Sequence, residues 1–263
     1  MRTTVATEPA ILLENLTKSY NGHPAVQGLN LAVRPGEIFG FLGPNGAGKT
    51  TTMKMMVGLL PPTSGRVVIL GHDVWRNPGP AKRAIGYVPD TPILHELLTA
   101  REFLWFMADL YGMSRAEGKA RAEELLQMMG LTPQADRLIR DFSLGMKRKM
   151  AIATALLHRP RVLLLDEVTN GLDARAAREV KDLIRAWARA GVAVVLTTHV
   201  LSVAEELSDR IGLIHRGRLI AEGTAADLAR QAGIPGANLE ETFLALTGDE
   251  LPAEDRDTEG EAR

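Results

Sequence analysis

Short apolar runs rich in Val, Ile and Leu alternate along the chain with stretches whose apolar residues recur at helical spacing. That alternation predicts an α/β fold around a mostly parallel central sheet. Strands are expected at Ile11 to Leu16, Leu29 to Val33, Ile38 to Leu42, Arg66 to Leu70, Arg161 to Leu165, Val192 to Thr197 and Ile211 to His215. Arg216-Gly217 reads as a hairpin turn into Leu219 to Glu222. Between Pro92 and His158 the strand signal vanishes, so residues 91–158 read as a helical insertion into a domain whose other parts span 10–90 and 159–230.

The insertion has legible helix starts. Thr99-Ala100-Arg101-Glu102 and Ser114-Arg115-Ala116-Glu117 both fit the capping box, in which a hydroxyl and a carboxylate satisfy end N–H groups reciprocally. On the helix from Ala100 to Tyr111, Phe103, Phe106, Met107 and Leu110 are assigned to one face, which turns Trp105 outward, either to a partner or against a neighbouring segment. Asp173 caps a helix from Ala174 to Ala190 that carries Ala177, Val180, Leu183, Ile184 and Trp187 on one side and stops at Gly191. A last helix, 238–247, closes a single domain spanning 1–248. Residues 249–263 are too acidic and too poor in apolar side chains to fold.

Immediately after the Ile38 run comes Gly43-Pro44-Asn45-Gly46-Ala47-Gly48-Lys49-Thr50, which completes G-x-x-x-x-G-K-[ST]. Its glycines let the backbone turn tightly with N–H groups pointing inward, and a helix starting near Lys49 adds unpaired donors at its positive end. Together they make a nest for phosphate oxygens. Lys49 reaches the β and γ phosphates, and the Thr50 hydroxyl is placed to ligate Mg²⁺.

Val162-Leu163-Leu164-Leu165-Asp166-Glu167 is an apolar strand that ends in two carboxylates at the sheet's carboxyl edge, where ligand sites of open α/β sheets lie. Asp166 is assigned to Mg²⁺, directly or through water, and Glu167 to orienting or deprotonating an attacking water. His199 ends another apolar strand and is assigned to the γ phosphate or the same water. The other five histidines, His23, His72, His95, His158 and His215, show no metal-ligand spacing.

With 263 residues, 45% of them hydrophobic, the chain builds a sizeable core. A net charge of -1 supplies no global field for nucleic acid or an anionic membrane. The absence of cysteine excludes disulfides and thiolate metal sites. Met1 to Ala10 contains no apolar leader core, and the apolar runs are far below membrane-spanning length, so work at a membrane requires a separate spanning chain.

The order of these motifs, from Ile11 to Leu246, resembles the nucleotide-binding subunit of ABC transporters. The resemblance implies a P-loop NTPase (RecA-like) core with an antiparallel β subdomain and the inserted helical subdomain. It implies that Tyr20 stacks on adenine, that Gly43 to Thr51 (with Asn45, Gly46, Ala47, Gly48 and Thr51 around the phosphates) is Walker A, that Asp166 and Glu167 end Walker B, that Asn170-Gly171-Leu172-Asp173 is the D-loop, and that His199 is the switch histidine. Phe142-Ser143-Leu144-Gly145-Met146 stands at the signature motif L-S-G-G-Q: Ser143 and Gly145 match, Leu144 and Met146 do not. Ser143 is also a good N-cap for a helix from Leu144 to His158, serving either the helix alone or an anion. In Tyr87-Val88-Pro89-Asp90, Asp90 replaces the Q-loop glutamine, and it is read either as a water-mediated contact to Mg²⁺ or as the start of a turn.

The family implies a head-to-tail homodimer enclosing two ATP molecules and an insertion that touches a transmembrane permease. The signature variant, the acidic Q-loop residue and Leu239-Glu240-Glu241-Thr242-Phe243-Leu244 resemble exporter ATPases of the ABC-2 type. The expected location is the cytoplasmic face of the cell membrane, reached through the permease. Two competing readings are a soluble ABC ATPase acting on nucleic acid or ribosomes, and a non-hydrolysing nucleotide switch. The first has no large basic block to support it, since Lys147-Arg148-Lys149 is short, and Glu167 with His199 argues against the second.

Overall fold

The short apolar runs bury both faces, and this decides the architecture. In β3 (Ile38–Leu42) and β7 (Val162–Asp166) of the computed structural model, which describes residues 8–248, every residue is buried, as it is in β8 (Ala193–Thr198). Strands covered on both sides need no polar alternation. Val162, Leu164, Ala193 and Val195 point into one core, while Leu163, Leu165, Val194 and Leu196 point into another. The assignment of residues 249–263 to an unfolded acidic tail lies outside the described residues.

The central sheet has six strands in the order β10-β9-β3-β8-β7-β6, adding β6 (Ile85–Val88), β9 (Arg210–His215) and β10 (Arg218–Gly223). All pairs are parallel except the β9–β10 hairpin. A second, antiparallel sheet has the order β2-β1-β4-β5, from β1 (Ile11–Tyr20), β2 (His23–Val33), β4 (Ser64–Ile69) and the two-residue β5 (His72–Asp73). Its apolar face closes over Phe39, Phe41 and the methionines of α1 (Lys49–Met56). Strands β5 and β6 were not expected from the pattern, because β5 has two residues and β6 only four, with Gly86 and Tyr87 diluting its apolar signal. The short α2 (Pro78–Arg83) leads into β6.

The opposite face carries the helical insertion, α3 (Ala100–Leu110), α4 (Arg115–Met128) and α5 (Leu144–Leu156), together with α6 (Ala174–Arg189). Thr99 and Glu102 form the complete capping box. Ser114 accepts from the Glu117 N–H at 3.3 Å, and Asp173 caps α6 through the Ala176 N–H at 2.8 Å. A third, smaller core gathers α7 (Leu201–Leu207), α8 (Ala225–Gln231) and α9 (Leu239–Thr247) against β9, with Phe243 buried at its centre. Asn238 and Glu241 box the start of α9.

The face assigned to α3 needs correction. The helix buries Ala100, Phe103, Leu104 and Ala108, while Phe106 and Leu110 are exposed and Trp105 is half-buried against the helical core beneath the Lys119 ammonium, 4.8 Å from the ring centroid. Packing of α4 decides this. A Cβ on Gly118 would come within 2.8 Å of the Ala108 side chain, so glycine there lets α4 close on the Ala108 face.

Candidate nucleotide site

Register brings the chemistry to one edge of the sheet. Leu42 pairs with Thr198 and Asp166 with Thr197, both in parallel, so the loop after β3, the acids after β7 and His199 after β8 leave the sheet side by side. Val88 pairs with Leu165, which delivers the Asp90 turn to the same edge. The resulting cleft, of about 210 Å³, is lined by Pro44 through Thr51, Ala25, Asp90 and Glu167.

Close approach explains two of the glycines. A Cβ at Gly43 would lie 2.3 Å from the Ile214 carbonyl, and one at Gly48, where φ is +108°, would lie 2.6 Å from the Ala25 carbonyl. Only glycine fits at either place. Helix α1 starts at Lys49, with Gly48 in its N-cap place, so no side chain covers its first N–H groups.

The Lys49 ammonium is buried and donates to the Gly43 carbonyl at 2.7 Å, and it lies 3.3 Å from Glu167 Oε1. Glu167 Oε2 accepts from Asn170 Nδ2 at 3.2 Å and from His199 Nδ1 at 3.1 Å. The Glu167 backbone adopts φ +48°, rare for a non-glycine residue, and its N–H donates to Thr197 Oγ1 at 3.0 Å and the Thr197 carbonyl at 3.2 Å. A strained backbone thus carries a carboxylate anchored at both oxygens.

Asp166 is 1% exposed. Its Oδ1 accepts from Thr197 Oγ1 at 2.5 Å and Thr50 Oγ1 at 3.3 Å, while its buried Oδ2 has no hydrogen-bond partner among the described residues. Burial pushes its pKa above the ordinary aspartate value, opposed by the Thr197 and Thr50 hydroxyls and reinforced by the Glu167 and Asp90 charges. An unpartnered buried carboxylate oxygen beside the Thr50 hydroxyl suits a hard divalent cation. Among the described residues no group of three or more His, Asp or Glu forms a complete metal cage. An ion such as Mg²⁺ held by Thr50 and Asp166 would need further oxygens, from phosphate or water.

Other expected residues fall outside the cleft. Tyr20, at the end of β1, is about half exposed, with the Lys18 ammonium 5.3 Å from its ring centroid. Ser143 caps α5 by accepting from the Met146 N–H at 3.3 Å, and neither it nor Gly145 lines the cleft formed by its own chain. The run Lys147-Arg148-Lys149 is spent within the fold: Lys147 pairs with Glu96, Lys149 pairs with Glu179, and Arg148 is buried.

Thr197 and Arg148 are the residues that sequence reasoning missed. A hydroxyl pair, Thr197-Thr198, closing an otherwise apolar strand was the available signal for the first. For the second there was none, because nothing in the run Lys147-Arg148-Lys149 sets its middle residue apart from its neighbours.

A family model for the ABC transporter matches residues 26–170, more than half of the chain. The chain is 40% identical over 220 residues to the linearmycin resistance ATP-binding protein LnrL of Bacillus subtilis (strain 168), covering 84% of this chain and 71% of that protein. It is 44% identical over 224 residues to the daunorubicin/doxorubicin resistance ATP-binding protein DrrA of Streptomyces peucetius, covering 85% and 68%. A solved dimeric ATP-binding cassette in a post-hydrolysis state, bound to ADP and Pi, superposes with a TM-score of 0.74 at 30% identity over 81% of this chain and 98% of that one.

Proposed function

The chain belongs to the ABC transporter family as an ATP-binding subunit with ATPase activity, and from that premise we propose that it powers an exporter by closing and opening a dimer around ATP. The convergence of Lys49, Asp166, Glu167 and His199 at one sheet edge carries this reading. The glycine cradle and Lys49 bind the triphosphate, and Tyr20 stacks on its adenine. Thr50 and Asp166 would hold Mg²⁺, with Asp90 reaching it through water, and the bound ion would draw charge from the phosphate oxygens. Glu167 takes a proton from the attacking water, and His199 fixes the carboxylate's orientation. Ser143 and Gly145 then serve a second copy's nucleotide, because neither lines the cleft of its own chain. A non-hydrolysing switch has no use for a carboxylate so anchored.

Transport requires another chain, since no helix among the described residues is long and apolar enough to cross a membrane. The exposed apolar residues Ile93, Leu97, Phe106 and Leu110 offer the docking face, continuous with a groove of about 550 Å³ lined by Leu110, Tyr111 and Met113. His95 packs edge-on to Phe106 and so joins the 91–98 segment to α3. The tagged chain, purified from detergent-solubilised membranes, should bring down a membrane-spanning protein and sit at the cytoplasmic face through it. Recovery with ribosomes and no such protein would favour the soluble reading.

A further inference from the structure

Arg148 is 3% exposed, five residues along α5 from Ser143, and its Nη1 donates to two main-chain carbonyls of the Asp90 turn, that of Pro89 at 3.1 Å and that of Asp90. A buried cation held by carbonyls instead of a carboxylate is costly, so plain packing would be better served by methionine or leucine. Burial lowers the guanidinium's pKa, while Asp90, Asp166 and Glu167 act in the opposite sense, so the cleft's acids help to keep this cation inside. The neighbouring Lys147 pairs with Glu96 at 2.5 Å, and the Glu96 carbonyl accepts from the Arg140 N–H at 3.0 Å. Helix α5 therefore grips the segment 89–98 near both ends.

We propose that Arg148 is a positioning residue that locks the Asp90 turn to the Ser143 helix, so that the metal-facing side of one cleft and the surface offered to a second copy's nucleotide move as one body. This deepens the preceding reading and rests on it for the roles of Asp90 and Ser143. Two discrete attachments through a rigid helix give the physical link that coupling requires. The Asp90 carboxylate, exposed and with no side-chain partner among the described residues, depends on that attachment for its place in the cleft.

Hydrogen exchange on the full-length chain without nucleotide tests this directly. Arg148→Met should speed exchange across residues 89–98 about tenfold or more, with β7 and β8 unchanged, because a hydrogen bond to a charged group is lost locally. Its ATPase kcat should fall by about tenfold with KM for MgATP within about twofold, and Arg148→Lys should recover part of that loss. If Arg148→Met does not fold, Arg148→Gln replaces it, with the same local rise expected. Exchange at 89–98 that matches wild type, or that rises equally in β7 and β8, overturns the proposal. Glu167→Gln separates the two readings: if it keeps full turnover the ATPase assignment fails, whereas the exchange result still judges the Arg148 attachment.

Discussion

Glu167 Oε1 stands 3.3 Å from the Lys49 ammonium while Oε2 is held by His199 and Asn170, so one carboxylate joins the phosphate-binding loop to the ends of two further strands. Binding and water activation are therefore separable by a change at that carboxylate. Glu167→Gln keeps the shape and removes the proposed base. Turnover should fall at least about a hundredfold, with ATP affinity retained and an ATP-bound dimer accumulating. Phosphate release, nucleotide titration and light scattering measure the three effects, and unchanged turnover removes Glu167 from the mechanism.

The cradle tolerates no Cβ at Gly43, where the Ile214 carbonyl would be 2.3 Å away. Gly43→Ala should move the loop and with it the carbonyl that receives Lys49. We expect a loss of more than about 1 kcal/mol in urea unfolding and at least about tenfold weaker nucleotide binding. Wild-type affinity in this variant would mean that the loop relaxes without cost.

Thr197 supports both acids, donating to Asp166 and accepting from the Glu167 N–H. Thr197→Val keeps the volume but leaves that buried N–H with the Thr197 carbonyl alone. Stability should drop by about 1–3 kcal/mol, and the Mg²⁺ concentration for half-maximal hydrolysis should rise. A Mg²⁺ titration identical to wild type would limit Thr197 to a purely local structural role.

His158 stacks on Tyr111 with ring centroids 4.2 Å apart, and its Nε2 is 2.9 Å from the Ile85 carbonyl. Burial lowers its pKa below the ordinary histidine value, partly offset by that hydrogen bond. Its contribution to stability is therefore whole above about pH 6.5 and is lost as pH falls through the lower folded value, because the unfolded chain binds the proton first. Urea midpoints compared at pH 8 and pH 5 should show a shallower acid decline for His158→Phe, which keeps the stacking. An equal decline in both proteins would assign the loss to other groups.

The phosphate loop and the acid-ended strand were legible because each is a contiguous run whose meaning is set by local backbone geometry and by burial of both faces. Helix caps at Thr99, Asp173 and Asn238 were legible for the same reason, since cap and first turn are neighbours in sequence. The face of α3 was misread. Phe106 and Leu110 are as apolar as Phe103, and only the approach of α4 at Gly118 decides which side is covered.

From residue order alone the chain declared an α/β nucleotide-binding core, its cradle, and the acids and histidine at its strand ends, because short-range chemistry fixes those features. Tertiary structure alone decided that Thr197 braces Asp166 and Glu167 from 31 and 30 positions away, and that Arg148 holds a turn 58 and 59 positions upstream. Such contacts depend on strand register and helix docking, which no local pattern encodes.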